Sequence, residues 1–130
     1  SRDVHLVECD SHVNGGREGF QRLWRLKRRP RAIVAMSDII AIGVMEAARE
    51  LGVRVPDGVS IVGYDDIPAT RWTRPRLTTV HQPIREKGKL TADLLVKLVE
   101  GGTDSNHYVL PTSLVERESV KIWTEETTVG

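Results

Sequence analysis

The feature that most narrows the fold is a pair of short apolar runs separated by one amphipathic stretch. Residues 32–36 read AIVAM and residues 59–63 read VSIVG. A strand covered on one face alternates apolar with polar positions, whereas a strand covered on both faces reads as a near-continuous hydrophobic run. Between the two runs, Ile39, Ile42, Met45 and Ala48 recur at helical spacing over residues 39–51, and Gly52 supplies a C-terminal stop. Residues 53–58 (VRVPDG) then form the returning turn. Strand, helix and strand in this order need a crossover helix lying on a sheet, so the expected class is α/β, a Rossmann-like doubly wound parallel sheet.

The remaining chain extends the pattern. Residues 4–7 (VHLV) predict a strand, and residues 17–27 predict a helix carrying Phe20, Leu23, Trp24 and Leu26, with Gly15 and Gly16 in the preceding loop. Residues 77–81 (LTTVH) predict another strand. A long amphipathic helix follows over residues 84–100, with Leu90, Leu94, Leu95 and Leu98 on its buried side and Gly101 and Gly102 at its end. Residues 108–110, 113–117 and 120–123 are extended candidates. The connection over residues 64–76 is long, and connections of that length are often functional.

Composition removes several classes. A chain of 130 residues suits one domain, and a mixture of 39% hydrophobic and 28% charged residues is that of a globular protein. The net charge of +1 gives no global reason to expect nucleic acid, and no apolar run could span a bilayer. The basic cluster Arg25, Lys27, Arg28, Arg29 and Arg31 reads as a solvated surface near a helix end. A lone Cys9 excludes an internal disulfide and fits a reducing cytoplasm. His5, His12, His81 and His107 lie singly, so no metal site is expected. Neither a nucleophile–base pair nor a phosphate-cradling glycine loop is evident, so the chain is not expected to be an enzyme or to hold a cofactor.

Two polar positions follow the apolar runs. Open α/β sheets bind ligands at the rim outside the carboxyl ends of their strands. Ser37 and Asp38 lie at such a rim, although a Ser in front of a helix is equally an ordinary N-cap. Asp65, in VGYDDIP, lies at the same rim, where a carboxylate can accept hydroxyl hydrogen bonds from a polyol or ribose. Taken alone, the Asp65–Asp66 pair reads more simply as the start of a loop. Asn14, beside a glycine, reads first as a turn residue.

Three blocks, RPRAIVAMSDIIAIGVMEAARELGVRVPDGVSIVGYDDIP, RPRLTTVHQPIREKGKLTADLLVKLVEGG and LPTSLVERES, resemble in order and spacing the lactose and galactose repressor family of bacterial transcription regulators. The resemblance covers nearly the whole chain from about Gly19 onward. Members carry an N-terminal helix-turn-helix, a hinge and a two-lobed sensing domain of the periplasmic-binding-protein type (type I). The resemblance implies that residues 1–82 and 111–130 belong to an incomplete second lobe, while residues 83–110 hold the interlobe crossing and a helix that packs on the first lobe. It places the lobe's first strand and helix before Ser1, and the sheet edges so exposed are expected to favour self-association. It also implies that some other surface covers the leucine stripe of the long helix.

The same resemblance implies effector contacts at Asp65, Ser37, Gln82 and Asn14, with Asp66 structural. Ser37 departs from the family's frequent Asn, and Asn14 stands where an aromatic ring often stacks on the effector. Ile42, Glu46, Thr70, Arg71 and Trp72 match homodimer-interface positions. The implied function is the effector-sensing and dimerisation portion of a DNA-binding repressor responding to a sugar or nucleoside-like molecule, with DNA contacted only through an N-terminal domain absent from this sequence and no membrane partner. A periplasmic sugar-binding transport protein shares the fold and is the alternative. The LPTSLVERES block and the single cysteine favour the regulator.

Overall fold

The computed structural model of the chain describes residues 4–103 and 106–124. The outermost parts of the expected lobe, 1–3 and 125–130, and residues 104–105 of the crossing lie outside them. The elements run α1 (Val13–Trp24), β1 (Ala32–Val34), α2 (Asp38–Glu50), β2 (Ser60–Asp65), a 3-10 helix (Pro68–Arg71), β3 (Thr78–His81), α3 (Ile84–Val99) and β4 (Ser113–Val115). They form one sheet of order β1-β2-β3-β4. β1 pairs parallel with β2, β2 parallel with β3, and β3 antiparallel with β4. The expected strand–helix–strand unit is therefore present, with an antiparallel strand at one edge.

Register decides which residues meet. Ile33 pairs opposite Ile61 on one face, where both are buried with Phe20 and Leu23 of α1 and Ala41, Val44, Met45 and Ala48 of α2. The helices approach closely because glycines stand at the crossing: a Cβ on Gly16 would overlap the Ile40 carbonyl oxygen, and one on Gly43 would overlap that of Val13. This packing corrects the expected start of α1. Gly15 and Gly16, read as loop, lie inside a helix that begins at Val13, capped by His12 Nδ1, which accepts from the Gly15 N–H at 3.0 Å. Each interior glycine costs a helix about 1 kcal/mol against alanine, and the close helix–helix contact offsets it.

The opposite face is open. Val34 shares it with Val62, and Tyr64 and Val80 lie beside Leu114, yet Val34 is 71% and Leu114 62% exposed. The expectation that residues 32–36 are covered on both faces is thus corrected: the strand ends at Val34 and is buried only at Ile33. No described residue lies over Val34 closely enough to bury it. Residues 4–7 form no strand, because β1 pairs with β2 alone among the described residues and offers them no ladder. Residues 108–110 and 120–123 are likewise outside the sheet. The latter pass its amino-terminal end, where Ser119 is buried, donating to the Ile61 carbonyl at 2.6 Å and accepting from the Thr78 N–H at 2.8 Å.

α3 forms as its periodicity predicts but buries no residue. Leu90 and Leu94 are half-buried, Leu95 and Leu98 exposed. The expected covering surface is not supplied by the described residues.

Candidate functional site

Three parallel strands point their carboxyl ends to one edge, and the expected ligand rim is built there. Asp65 ends β2 opposite His81, which ends β3, and Gln82 follows at once. The Gln82 side chain donates from Nε2 to Asp65 Oδ1 at 2.7 Å. A carboxylate accepts about four hydrogen bonds, so this contact orients Asp65 without exhausting it. Asp65, Asp66, His81 and Gln82 line an open cleft of about 290 Å³ together with Pro83 and the first turn of α3, residues 84–86. The structure therefore brings Asp65 and Gln82 together.

The backbone that presents Asp65 is unusual. Asp65 has φ 118° and Asp66 φ 61°, two consecutive non-glycine residues in a region where each costs about 1–3 kcal/mol unless its surroundings hold it. Asp66 supplies much of that hold. Its carboxylate accepts from Arg117 Nη2 at 2.7 Å and meets His81 Nδ1 at 3.0 Å, with only 7% of the side chain exposed. Burial pushes the Asp66 carboxyl up, but the hydrogen bonds and charges of Arg117 and His81 outweigh it and leave the group below its ordinary value. Asp66 thus ties the loop down, in keeping with the structural role expected for it.

Asp38 is the second anchor; sequence reading places it at the rim but gives no sign of the links it makes there. It is fully buried at the start of α2. Its Oδ1 accepts from the Thr79 hydroxyl at 2.6 Å and its Oδ2 from the Ile67 N–H at 2.9 Å, so it joins α2 to β3 and to the loop after β2. Burial raises its carboxyl above the ordinary range, Thr79 and the loop N–H groups pull it down, and the nearby charge of Asp65 adds to the rise. The signal for this arrangement is Gly63, where a Cβ would overlap Asp38 Oδ1. A glycine inside a strand marks a place where another group comes close.

The other expected contacts are placed differently. Ser37 caps α2, its Oγ accepting from the Ile40 N–H at 3.3 Å, and it stands at the same rim without lining the cleft. Asn14 is exposed in the first turn of α1 rather than in a loop, and it too lies outside the cleft lining. Of the residues matched to a homodimer interface, Arg71 and Trp72 are exposed, Trp72 by 74%, and Ile42 is half-buried. Glu46 pairs with Arg17 at 3.2 Å. Thr70 is a correction: it is fully buried, its hydroxyl donating to the Ile67 carbonyl at 2.7 Å and accepting from Arg117 Nη1 at 3.0 Å, so it serves the loop's interior and presents no surface. Arg29 and Arg31 of the basic cluster sit over the rings of Trp24 and Trp123 at 5.1 and 5.5 Å.

Comparison with known proteins gives this arrangement a family. A family model described as a periplasmic binding protein-like domain matches residues 3–120. The ribose operon repressor of Halalkalibacterium halodurans is 38% identical over 117 residues, which are 89% of this chain and 35% of the repressor. The HTH-type transcriptional repressor PurR of Yersinia pestis bv. Antiqua is 38% identical over 120 residues, 92% of this chain and 35% of that protein. The chain thus spans 35% of the length of both curated relatives. Among solved structures, a LacI family transcriptional regulator from Enterococcus faecalis V583 with bound ribose superimposes with a TM-score of 0.81 at 31% identity, over 90% of this chain and 43% of that one. Among the described residues no helix is long and apolar enough to cross a membrane. The chain therefore belongs to the family of periplasmic binding protein-like domains, and its likeness within that family is to LacI-type transcriptional regulators.

Proposed function

We propose that this chain is the effector-sensing and dimerisation part of a cytoplasmic DNA-binding repressor, with a sugar or nucleoside-like effector. The observation that carries the reading is the Asp65–Gln82 pair, held at 2.7 Å on the cleft rim at the carboxyl ends of parallel strands. A carboxylate beside an amide suits adjacent hydroxyl groups, and the similar Enterococcus faecalis regulator holds ribose. Ser37 and Asn14 complete the rim at longer reach. The wall formed by the first turn of α3 belongs to the interlobe crossing, so a ligand in the cleft touches both sides of a hinge. Effector then stabilises one lobe arrangement over another by its differential affinity, without covalent chemistry. The exposed Arg71 and Trp72, with Ile42 and Glu46, form the surface through which two copies associate, and DNA is reached through another part of the protein. The curated relatives named above are repressors, which favours this reading over a periplasmic sugar carrier.

Thermal-shift screening of the full-length protein with ribose, other sugars, nucleosides and purine bases tests it. A ligand at a hundred times its Kd stabilises the native state by about 2.7 kcal/mol. Stabilisation by one class, together with altered operator-DNA binding, is the expected result. No response to any of these ligands, or a response without effect on DNA binding, contradicts it.

A further inference from the structure

Arg117 lies beneath the loop between β2 and β3, with 11% of its side chain exposed. Its guanidinium has three partners. Nη2 donates to Asp66 Oδ1 at 2.7 Å, and Nη1 donates to Thr70 Oγ1 at 3.0 Å and to the Leu77 carbonyl at 2.8 Å. Its own N–H donates to Thr78 Oγ1 at 2.9 Å, which fixes the backbone from which the side chain extends. One planar group is thus bonded to the residue beside Asp65, to the middle of the 3-10 helix, and to the residue leading into β3. The far end of the loop closes on the same residues: the Thr70 carbonyl accepts from the Leu77 N–H at 3.0 Å, and the Trp72 N–H donates to the Ala69 carbonyl at 3.0 Å. A rigid guanidinium fork sets its partners relative to one another, whereas an ammonium on a flexible stem holds one partner at a time.

We propose that Arg117 is a positioning residue that locks the strained Asp65–Asp66 end of β2 to the exposed loop carrying Arg71 and Trp72. A displacement at the cleft is thereby passed to that loop. The inference rests on the reading of Asp65 as an effector contact, but the physical link exists without ligand. Arg117 does not itself line the cleft; it acts through Asp66, which does, at one end and through Thr70 at the other.

Amide hydrogen exchange on the full-length protein, with and without saturating D-ribose, tests the link. In the wild type, ribose slows exchange at Ile67 and at Thr70 and Trp72 together. Arg117→Lys keeps the charge and loses the fork. Exchange at Thr70, Trp72 and Leu77 in the ligand-free variant rises about tenfold or more, the equivalent of one lost charge-assisted hydrogen bond. Val44 and Met45 in α2 keep their wild-type rates, and ribose no longer slows Trp72. Wild-type exchange at Thr70 and Trp72 in this variant overturns the proposal, because charge alone then suffices. An equal rise at Val44 and Met45 also overturns it, by showing a general loss of structure. Thr70→Val, which removes the Arg117 acceptor in the loop together with the hydroxyl's bond to the Ile67 carbonyl but leaves the Arg117–Asp66 pair, raises exchange at Trp72 and leaves ribose affinity within about twofold; an unchanged Trp72 amide counts against the link. If ribose protects nothing in the wild type, ribose is not the effector, and the ligand-free comparison still decides the role of Arg117.

Discussion

Asp65 and Asp66 are chemically identical neighbours, and their surroundings separate them. Asp65 is half-buried with one side-chain partner on the cleft, while Asp66 is clasped by Arg117 and His81. This makes the stability depend on pH. Asp66 has a folded pKa below its unfolded value of about 3.9, so its contribution is complete above that value and is lost as pH falls through the lower folded one. Asp38 acts in the opposite sense: its raised folded pKa makes its contribution largest below about 3.9 and smaller as pH rises through the folded value. Arg117→Met is therefore expected to flatten the acid limb of a urea-midpoint profile below about pH 5, where the wild type falls more steeply. An unaltered acid limb contradicts the assignment. Asp38→Ala leaves the Ile67 N–H and the Thr79 hydroxyl without their acceptor and is expected to destabilise the fold by about 2–4 kcal/mol in the same measurement. Sequence reading found the capping position of Ser37 and a structural role for Asp66, but not the partners, Arg117 and His81, through which Asp66 holds the loop. It did not separate Thr70 from its exposed neighbours, because a hydroxyl residue in a loop carries no sign of the buried arginine that will meet it.

Elements were legible where periodicity reports packing within this chain. α2 and β2 stand as their apolar patterns imply, whereas β1, whose run reads as covered on both faces, is shorter and buried only at Ile33. α1 shows the opposite case: Gly15 and Gly16 argue locally for a loop, and only the crossing partner Gly43, on another helix, explains them. Gly43→Ala is expected to cost about 3 kcal/mol by forcing α1 and α2 apart, seen as a lowered urea midpoint with the same slope. α3 carries a helical stripe that the described residues leave half-buried at Leu90 and Leu94 and exposed at Leu95 and Leu98. Leu98→Ser there is expected to change the unfolding free energy of this chain by no more than about 0.5 kcal/mol, whereas Phe20→Ala in α1 costs about 3–5 kcal/mol. A large effect at Leu98 means that α3 packs on the body. The failed strand at residues 4–7 resembles the bare leucines in that an apolar run reports a tendency to pack without naming a partner, and no described strand pairs with residues 4–7.

At the scale of the whole molecule, one face of the sheet is sealed by two helices and the other exposes Val34, Met36 and Leu114. The sealed face gives the rim its rigidity, since Asp38 reaches from α2 to both β3 and the loop after β2. Family membership was readable in the order of three sequence blocks, because those blocks are the strand ends, turns and caps that the fold must keep. The cleft was readable only in part. Asp65 and Gln82 are brought together by strand register, and the first turn of α3, which lines the cleft with them, is a segment that the resemblance to the repressor family assigns to a different lobe. The direct test of the central claim is isothermal titration of D-ribose into the full-length protein and into its Asp65→Ala variant. The account predicts saturable binding by the wild type and a loss of about tenfold or more in the variant, the cost of one charge-assisted contact. Equal affinity of the two proteins for ribose would show that the rim at Asp65 is not where the effector is held.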